Sequence, residues 1–239
     1  MTTQMALETV VDESKCTNQI VLEEVTNKLS YNDQITLEKV TDKSIYDNEE
    51  DINTFKKIAC SAFESDMTYE DVKNHTIGSE NLYLFRSGEQ IIGFGTTKKL
   101  KFGSENILYL DGVAVEKEYQ KSGAFKLYLE HAQQNERYVV GRTQNPVIMG
   151  SCKNHITGNF YPSQDNTPFV IQNIAEFIAK DTLKMKEFNK QKMIGEKTYG
   201  KSLYKEIPNY KKNKDRIHEQ INFSNGDCYI FVIDKVVNN

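Results

Sequence analysis

Between Leu108 and Asn135, an apolar strand-like segment, Leu108-Tyr109-Leu110-Asp111-Gly112-Val113-Ala114-Val115, runs through Gln120-Lys121-Ser122-Gly123-Ala124 into an amphipathic helical pattern. A glycine-bearing loop between a strand and a helix lets the backbone approach a ligand closely. The first unspent N–H groups of the helix then face that ligand with partial positive charge. Such a place suits a pyrophosphate. The plain alternative is a turn without a ligand, because short glycine loops before helices are common.

The residues in this run resemble the acetyl-CoA motif of the GNAT superfamily of acetyltransferases. That motif is a strand ending in valine, then glutamine or arginine, glycine and a small residue before a helix. Val115, Gln120 and Gly123 fall in register, whereas Phe125 stands where the family usually keeps a small residue. Its ring either turns inward with Leu129 and Ala132 at helical spacing or crowds the ligand. Tyr138-Val139-Val140-Gly141-Arg142-Thr143 reads as the next strand, and Asn145-Pro146 opens a helix. By residue pattern alone Asn145 is an N-cap with Pro146 at the first helical position. The resemblance implies that Asn145 also faces the pantetheine arm, and the two roles are compatible.

The resemblance further implies direct transfer of an acetyl group from acetyl-CoA, as cosubstrate, to an amine acceptor that is a small molecule or a protein. The cosubstrate would be held at Val113, Val115, Gln120, Lys121, Ser122, Gly123, Ala124, Phe125 and Asn145. Asp111 is the candidate base, against the alternative of an aspartate that caps a sheet edge. The tyrosine that the family often places seven residues after the asparagine is Cys152 here, so the acid role passes to Tyr161 in Asn159-Phe160-Tyr161-Pro162. An aromatic beside a proline is also a packing residue. Arg142 suits either an acceptor carboxylate or a structural ion pair.

Elsewhere the pattern predicts helices over Asp51–Phe63 and Met67–Ile77, strands over Asn81–Arg86 and Ile91–Leu100 around the Ser87-Gly88-Glu89 turn, and a turn at Gly103-Ser104. The order implies an α/β fold with a mixed, mostly antiparallel twisted sheet flanked by helices, GNAT-like over residues 34 to 155. Phe169–Leu183 reads as a further helix, and Asp227–Ile233 as a strand at a sheet edge. With 239 residues, 38% hydrophobic and 27% charged, the chain suffices for one core.

Residues 1–43 carry a 15-residue repeat. Gln4, Gln19 and Gln34 recur in step, as do Leu7, Leu22 and Leu37, Glu8, Glu23 and Glu38, Val10, Val25 and Val40, and Asp12, Asn27 and Asp42. The third copy alternates like an edge strand, and the resemblance implies that it is the first strand of the sheet. Three short units are too small to bury a core of their own. Residues 1–32 therefore read as an acidic extension, and 33–239 as the acetyltransferase domain with an insert at about 156–225. Residues 1–53 hold 12 Asp and Glu against 4 Lys.

Lys184–Arg216 holds 11 Lys and Arg against 4 Asp and Glu, with Tyr199, Tyr204 and Tyr210 interleaved. This stretch reads as a solvated helical insert or as a nucleic-acid or protein-binding surface. Four cysteines and four histidines show no ligand spacing, so no metal is expected. The absence of a signal segment and of 18 consecutive apolar residues points to a cytoplasmic chain that is not membrane-bound. A catalytically impaired acyl-CoA-binding protein is the rival to the enzyme.

Overall fold

The computed structural model describes residues 29–31, 35–163, 166–206 and 220–235. Residues 1–28 of the extension and the basic run 207–219 lie outside the described residues, as do the first repeat copy and most of the second.

Chain order is β1 (Leu29–Tyr31), β2 (Ile35–Val40), α1 (Glu49–Phe63), α2 (Tyr69–Thr76), β3 (Asn81–Ser87), β4 (Gln90–Phe102), β5 (Glu105–Val115), α3 (Ala124–Ala132), β6 (Tyr138–Thr143), α4 (Pro146–His155), β7 (Asn159–Tyr161), α5 (Phe169–Phe177), β8 (Glu187–Asn189), β9 (Ile194–Glu196) and β10 (Cys228–Asp234). The strands form one sheet in the order β1-β2-β3-β4-β5-β6-β10-β9-β8, with β7 also on β10. Among the described residues only the β5–β6 pairing is parallel. The sheet is therefore mixed and mostly antiparallel, as expected.

Helix starts follow local chemistry. Asn48 Oδ1 accepts from the Asp51 amide at 3.0 Å, and Glu49, Glu50 and Asp51 place negative charge on the first turn of α1. Thr68 caps α2 through the Asp71 amide at 3.1 Å. The apolar stripe Ile52, Phe55, Ile58 and Ala59 then buries α1 on the sheet.

Alternation along the strands sorts the helices into two layers. On β3, Leu82 and Leu84 meet α1 and α2, while Tyr83 and Phe85 meet α3. On β5, Ile107 and Tyr109 face α5, and Leu108 and Leu110 face α3 and α4. The β4–β5 register steps from Thr97↔Leu110 to Thr96↔Gly112, leaving Asp111 as the extra residue of a bulge. The bulge shifts the parity, so that Ala114 beyond it packs with α1. One face thus carries α1, α2 and α5, and the other carries α3 and α4.

Three expectations are corrected. The Asp227–Ile233 strand is interior, because β10 pairs with β6 on one side and with β7 and β9 on the other. Both of its faces are covered, which explains the unbroken apolar run Cys228–Ile233. The described part of the basic insert is not helical. Lys184–Glu206 forms the β8–β9 hairpin and turns, with Lys184, Met193, Lys197 and Gly200 at positive φ, which no helix tolerates in series. Finally, β2 has β1 outside it, so the third repeat copy is not the edge, and Leu29–Tyr31 of the extension joins the sheet. The Phe169–Leu183 helix is present, but from Ile178 to Thr182 it widens into a π turn.

Candidate active site

The parallel ladder between β5 and β6 runs from Ile107↔Tyr138 to Leu110↔Gly141 and stops. Beyond it, the bulge at Asp111 keeps β5 on β4, and the two parallel strands part. The edge of β5 from Asp111 to Val115 that turns away from β4 has no strand partner among the described residues, and of its outward peptide groups only the Val115 carbonyl is spent among them, on Gln120. Gly141 marks the fork. A Cβ at that position would sit 2.5 Å from the Phe231 ring, so only glycine fits. The gap opens into a cavity of about 510 Å³ lined by Leu110–Ala114 and Gly141–Gln144, by α1 and α2, and by the segment from Thr198 to Tyr204. That volume suits a small organic ligand.

Beside this gap lies the loop that opens α3. Gln120 Nε2 donates to the Val115 carbonyl at 3.1 Å and to the Ala62 carbonyl at 3.3 Å, which fastens the loop to β5 and α1. Lys121 at φ 68° and Gly123 at φ 93° turn the chain into the helix, and the left-handed Gly123 serves as its N-cap without a capping side chain. The amides of Gly123, Ala124 and Phe125 have no acceptor among the described residues, and the buried Ser122 Oγ has no partner. Unspent donors at a helix start, with an unsatisfied hydroxyl beside them, fit an anion.

Phe125 is half-buried against the α3–α4 core, tilted on Tyr128 with centroids 6.1 Å apart, and it also lines the cavity. Both roles foreseen for it meet in one ring. Val113 lines the cavity, whereas Val115 packs into the α3–α4 core outside it. Asn145 is the N-cap of α4. Its Oδ1 accepts from the Val147 amide at 2.9 Å, and its Nδ2 donates to the Tyr204 hydroxyl at 3.3 Å.

Two expectations about acid and base meet obstacles. Asp111 lines the cavity but is only 7% exposed, and its carboxylate is engaged by Lys98 Nζ at 2.9 Å and by the Ser79 hydroxyl at 2.7 Å. Both contacts would have to be given up before the carboxylate could turn to a bound amine. Tyr161 is on β7, opposite Val232, and packs into the α5 core away from the cavity wall. Cys152 is fully buried in the α3–α4 core, where burial pushes its thiol up.

Arg142, foreseen from the β6 segment, gathers at the cavity with Tyr199, Tyr204 and His75, which had been given no role there. Tyr204 stacks edge-on with Phe63 at 5.3 Å, and burial pushes its phenol up to about 12 against the Asn145 hydrogen bond. Arg142 Nη2 stands 3.0 Å from His75 Nε2, with its guanidinium over the Tyr199 ring at 5.3 Å. The interleaved tyrosines of the basic stretch were the signal for Tyr199 and Tyr204. They pack inward rather than onto a polyanion. Among the described residues no cluster of histidine, cysteine and carboxylate could hold a metal ion, and no helix is long and apolar enough to cross a membrane.

No family model and no curated protein matches the chain. Solved structures do. The ribosomal-protein-S18-alanine N-acetyltransferase from Escherichia coli is 11% identical over 86% of this chain and 97% of its own, with a TM-score of 0.46. Naa50 from Arabidopsis thaliana, in complex with a bisubstrate analogue, is 12% identical over 83% and 97%, with a TM-score of 0.44. A GNAT-family acetyltransferase from Bacillus anthracis is 12% identical over 53% and 78%, with a TM-score of 0.35. From β2 to α4 the elements follow the order expected from the sequence. Likeness this slight transfers no residue roles.

Proposed function

We propose that the protein is an acyltransferase that moves an acetyl group from acetyl-CoA directly to an amine. The observation that supports this best is the pairing of two unspent sets of backbone groups: the free edge of β5 at the fork, and the open amides at the start of α3. The residues present suit the cosubstrate. The Gly123, Ala124 and Phe125 amides and the Ser122 hydroxyl would hold its pyrophosphate, and the Asp111–Val115 edge would hold its pantetheine arm. When bound, acetyl-CoA supplies a polarisable thioester carbonyl and a thiolate leaving group.

Tyr204 takes the place foreseen for Tyr161. Its raised phenol keeps its proton at neutral pH, and Asn145 fixes its oxygen at the cavity wall. It is the group we assign to protonate the thiolate. Asp111, held by Lys98 and Ser79, shapes the fork. Amine deprotonation is left to water or to an acceptor that arrives neutral.

Thermal denaturation with acetyl-CoA, followed by mass detection of acetylated amines, tests the proposal. A ligand at 100 times its Kd adds about 2.7 kcal/mol, a rise of several degrees for a domain of this size. No shift at millimolar acetyl-CoA sinks the assignment. A shift without turnover against any amine class favours a binding protein that has lost catalysis.

A further inference from the structure

We infer that the acceptor is an amine that also carries a carboxylate, and that Arg142 recognises that carboxylate, an inference that rests on the acyltransferase reading of the same cavity. Arg142 lies on β6 at the fork. Val140, two residues earlier, faces α5, and the Arg142 side chain leaves the sheet on that same side, toward α2. There its Nη2 donates to His75 Nε2 at 3.0 Å, while His75 Nδ1 is 2.8 Å from the Asp71 carbonyl. A guanidinium can only donate. In this pairing Nε2 accepts, and Nδ1 carries the proton and donates to the carbonyl. The remaining contact is the face of the Tyr199 ring. None of these neighbours carries negative charge.

No carboxylate among the described residues forms an ion pair with Arg142. Asp111 is close enough to be felt, but it is spent on Lys98 and Ser79. Beside the guanidinium, the Tyr109 hydroxyl is fully buried and has no hydrogen-bond partner. A half-buried cation without a counter-ion is costly, and an orphaned hydroxyl adds to the cost. The guanidinium's deficit is met by an incoming carboxylate, whose two oxygens match its planar fork.

The proposed pyrophosphate site uses the amides at the start of α3, whereas the Arg142 guanidinium reaches toward α2 on the other side of the fork, so we place Arg142 on the acceptor side. Lys201 adds positive charge to this wall, while the exposed Asp66 and Asp71 line the cavity on the α1–α2 side and disfavour a second anionic group there.

The test uses the full chain and amine pairs that differ only by the carboxylate: glycine and methylamine, β-alanine and ethylamine, L-lysine and cadaverine, extended to the remaining amino acids. We expect at least one carboxylate-bearing member to be preferred tenfold or more in kcat/KM. Arg142→Gln should abolish that preference through the acceptor KM and leave the KM for acetyl-CoA unchanged, and Arg142→Lys should retain part of it. Preference for the decarboxylated members, or an undiminished preference in Arg142→Gln, overturns the inference.

Because the guanidinium lacks a counter-ion, Arg142→Gln should melt no lower than the parent without ligands. A clear drop would show a structural ion pair instead. Calorimetry of CoA on the same proteins separates the failures. No CoA binding ends the acyltransferase reading and this inference with it, whereas CoA binding without a carboxylate preference ends only the inference. If CoA binds but nothing turns over, the melting shift by amino acids in the presence of CoA decides: a shift lost in Arg142→Gln supports recognition, and no shift overturns it.

Discussion

A phenol can protonate a leaving thiolate only from within reach of it, and that separates Tyr204 from Tyr161. We expect Tyr204→Phe to lower turnover 100-fold or more with the melting temperature little changed, because proton-transfer groups contribute 100- to 10,000-fold. Tyr161→Phe should leave the rate within a fewfold, since its ring packs under β10 outside the cavity. Steady-state rates measured beside melting curves check both, and equal losses would unseat Tyr204. Asp111→Asn should act the other way. Breaking the contacts to Lys98 and Ser79 lowers stability by about 1–3 kcal/mol, read in denaturant titration, and the rate per folded molecule survives. A large rate loss at unchanged stability would restore Asp111 as the base. Gly123→Val should abolish CoA binding, because a β-branched residue at φ 93° is strained and its methyls would stand among the open amides. Unchanged affinity by calorimetry would make the loop a mere turn.

At the scale of elements, what was legible from the sequence was what is local. Asn145-Pro146, the Gly123 loop and the stripe Ile52, Phe55 and Ile58 are encoded within a turn or two, and α4, α3 and α1 start or bury as those residues require. The place of β10 was not legible. Its apolar run suits an edge or an interior, and only the pairing with β6, roughly 90 residues earlier, decides between them. For the same reason Tyr204 looked like part of a soluble basic stretch, since its partners Asn145 and Phe63 are remote in sequence. His75 beside Arg142 had no sequence signature at all. Elements also set the limits of truncation. Removing residues 1–28 should leave a folded domain that still binds CoA, because β1 and β2 stay intact. Circular dichroism and calorimetry on the shortened chain check this, and an insoluble product would place the extension in the core.

Among the described residues the strands form one ten-stranded sheet, and in the function we propose its two sides do different work at the fork: amides at the start of α3 for an anion, and Arg142 with two phenols for the acceptor. Its first full-length strand, β2, is also the strand whose pattern the chain spells three times. The contacts of β2 come from Ile35, Leu37 and Val40, all buried, and from Glu38, whose Oε2 accepts from Arg86 Nε at 2.7 Å. Fifteen residues upstream stand Ile20, Leu22, Glu23 and Val25, and fifteen further Met5, Leu7, Glu8 and Val10. The residue types that fill the slot beside β3 are therefore spelled twice more, in the same order, upstream in the chain. Slipping the chain by one repeat lengthens the link to α1 by 15 residues, and such a loop costs little in entropy. Redundancy of this kind is measurable as tolerance. Leu37→Asp should cost the full-length protein markedly less thermal stability than it costs a chain starting at residue 29, and an equal loss in both would show that β2 has no substitute.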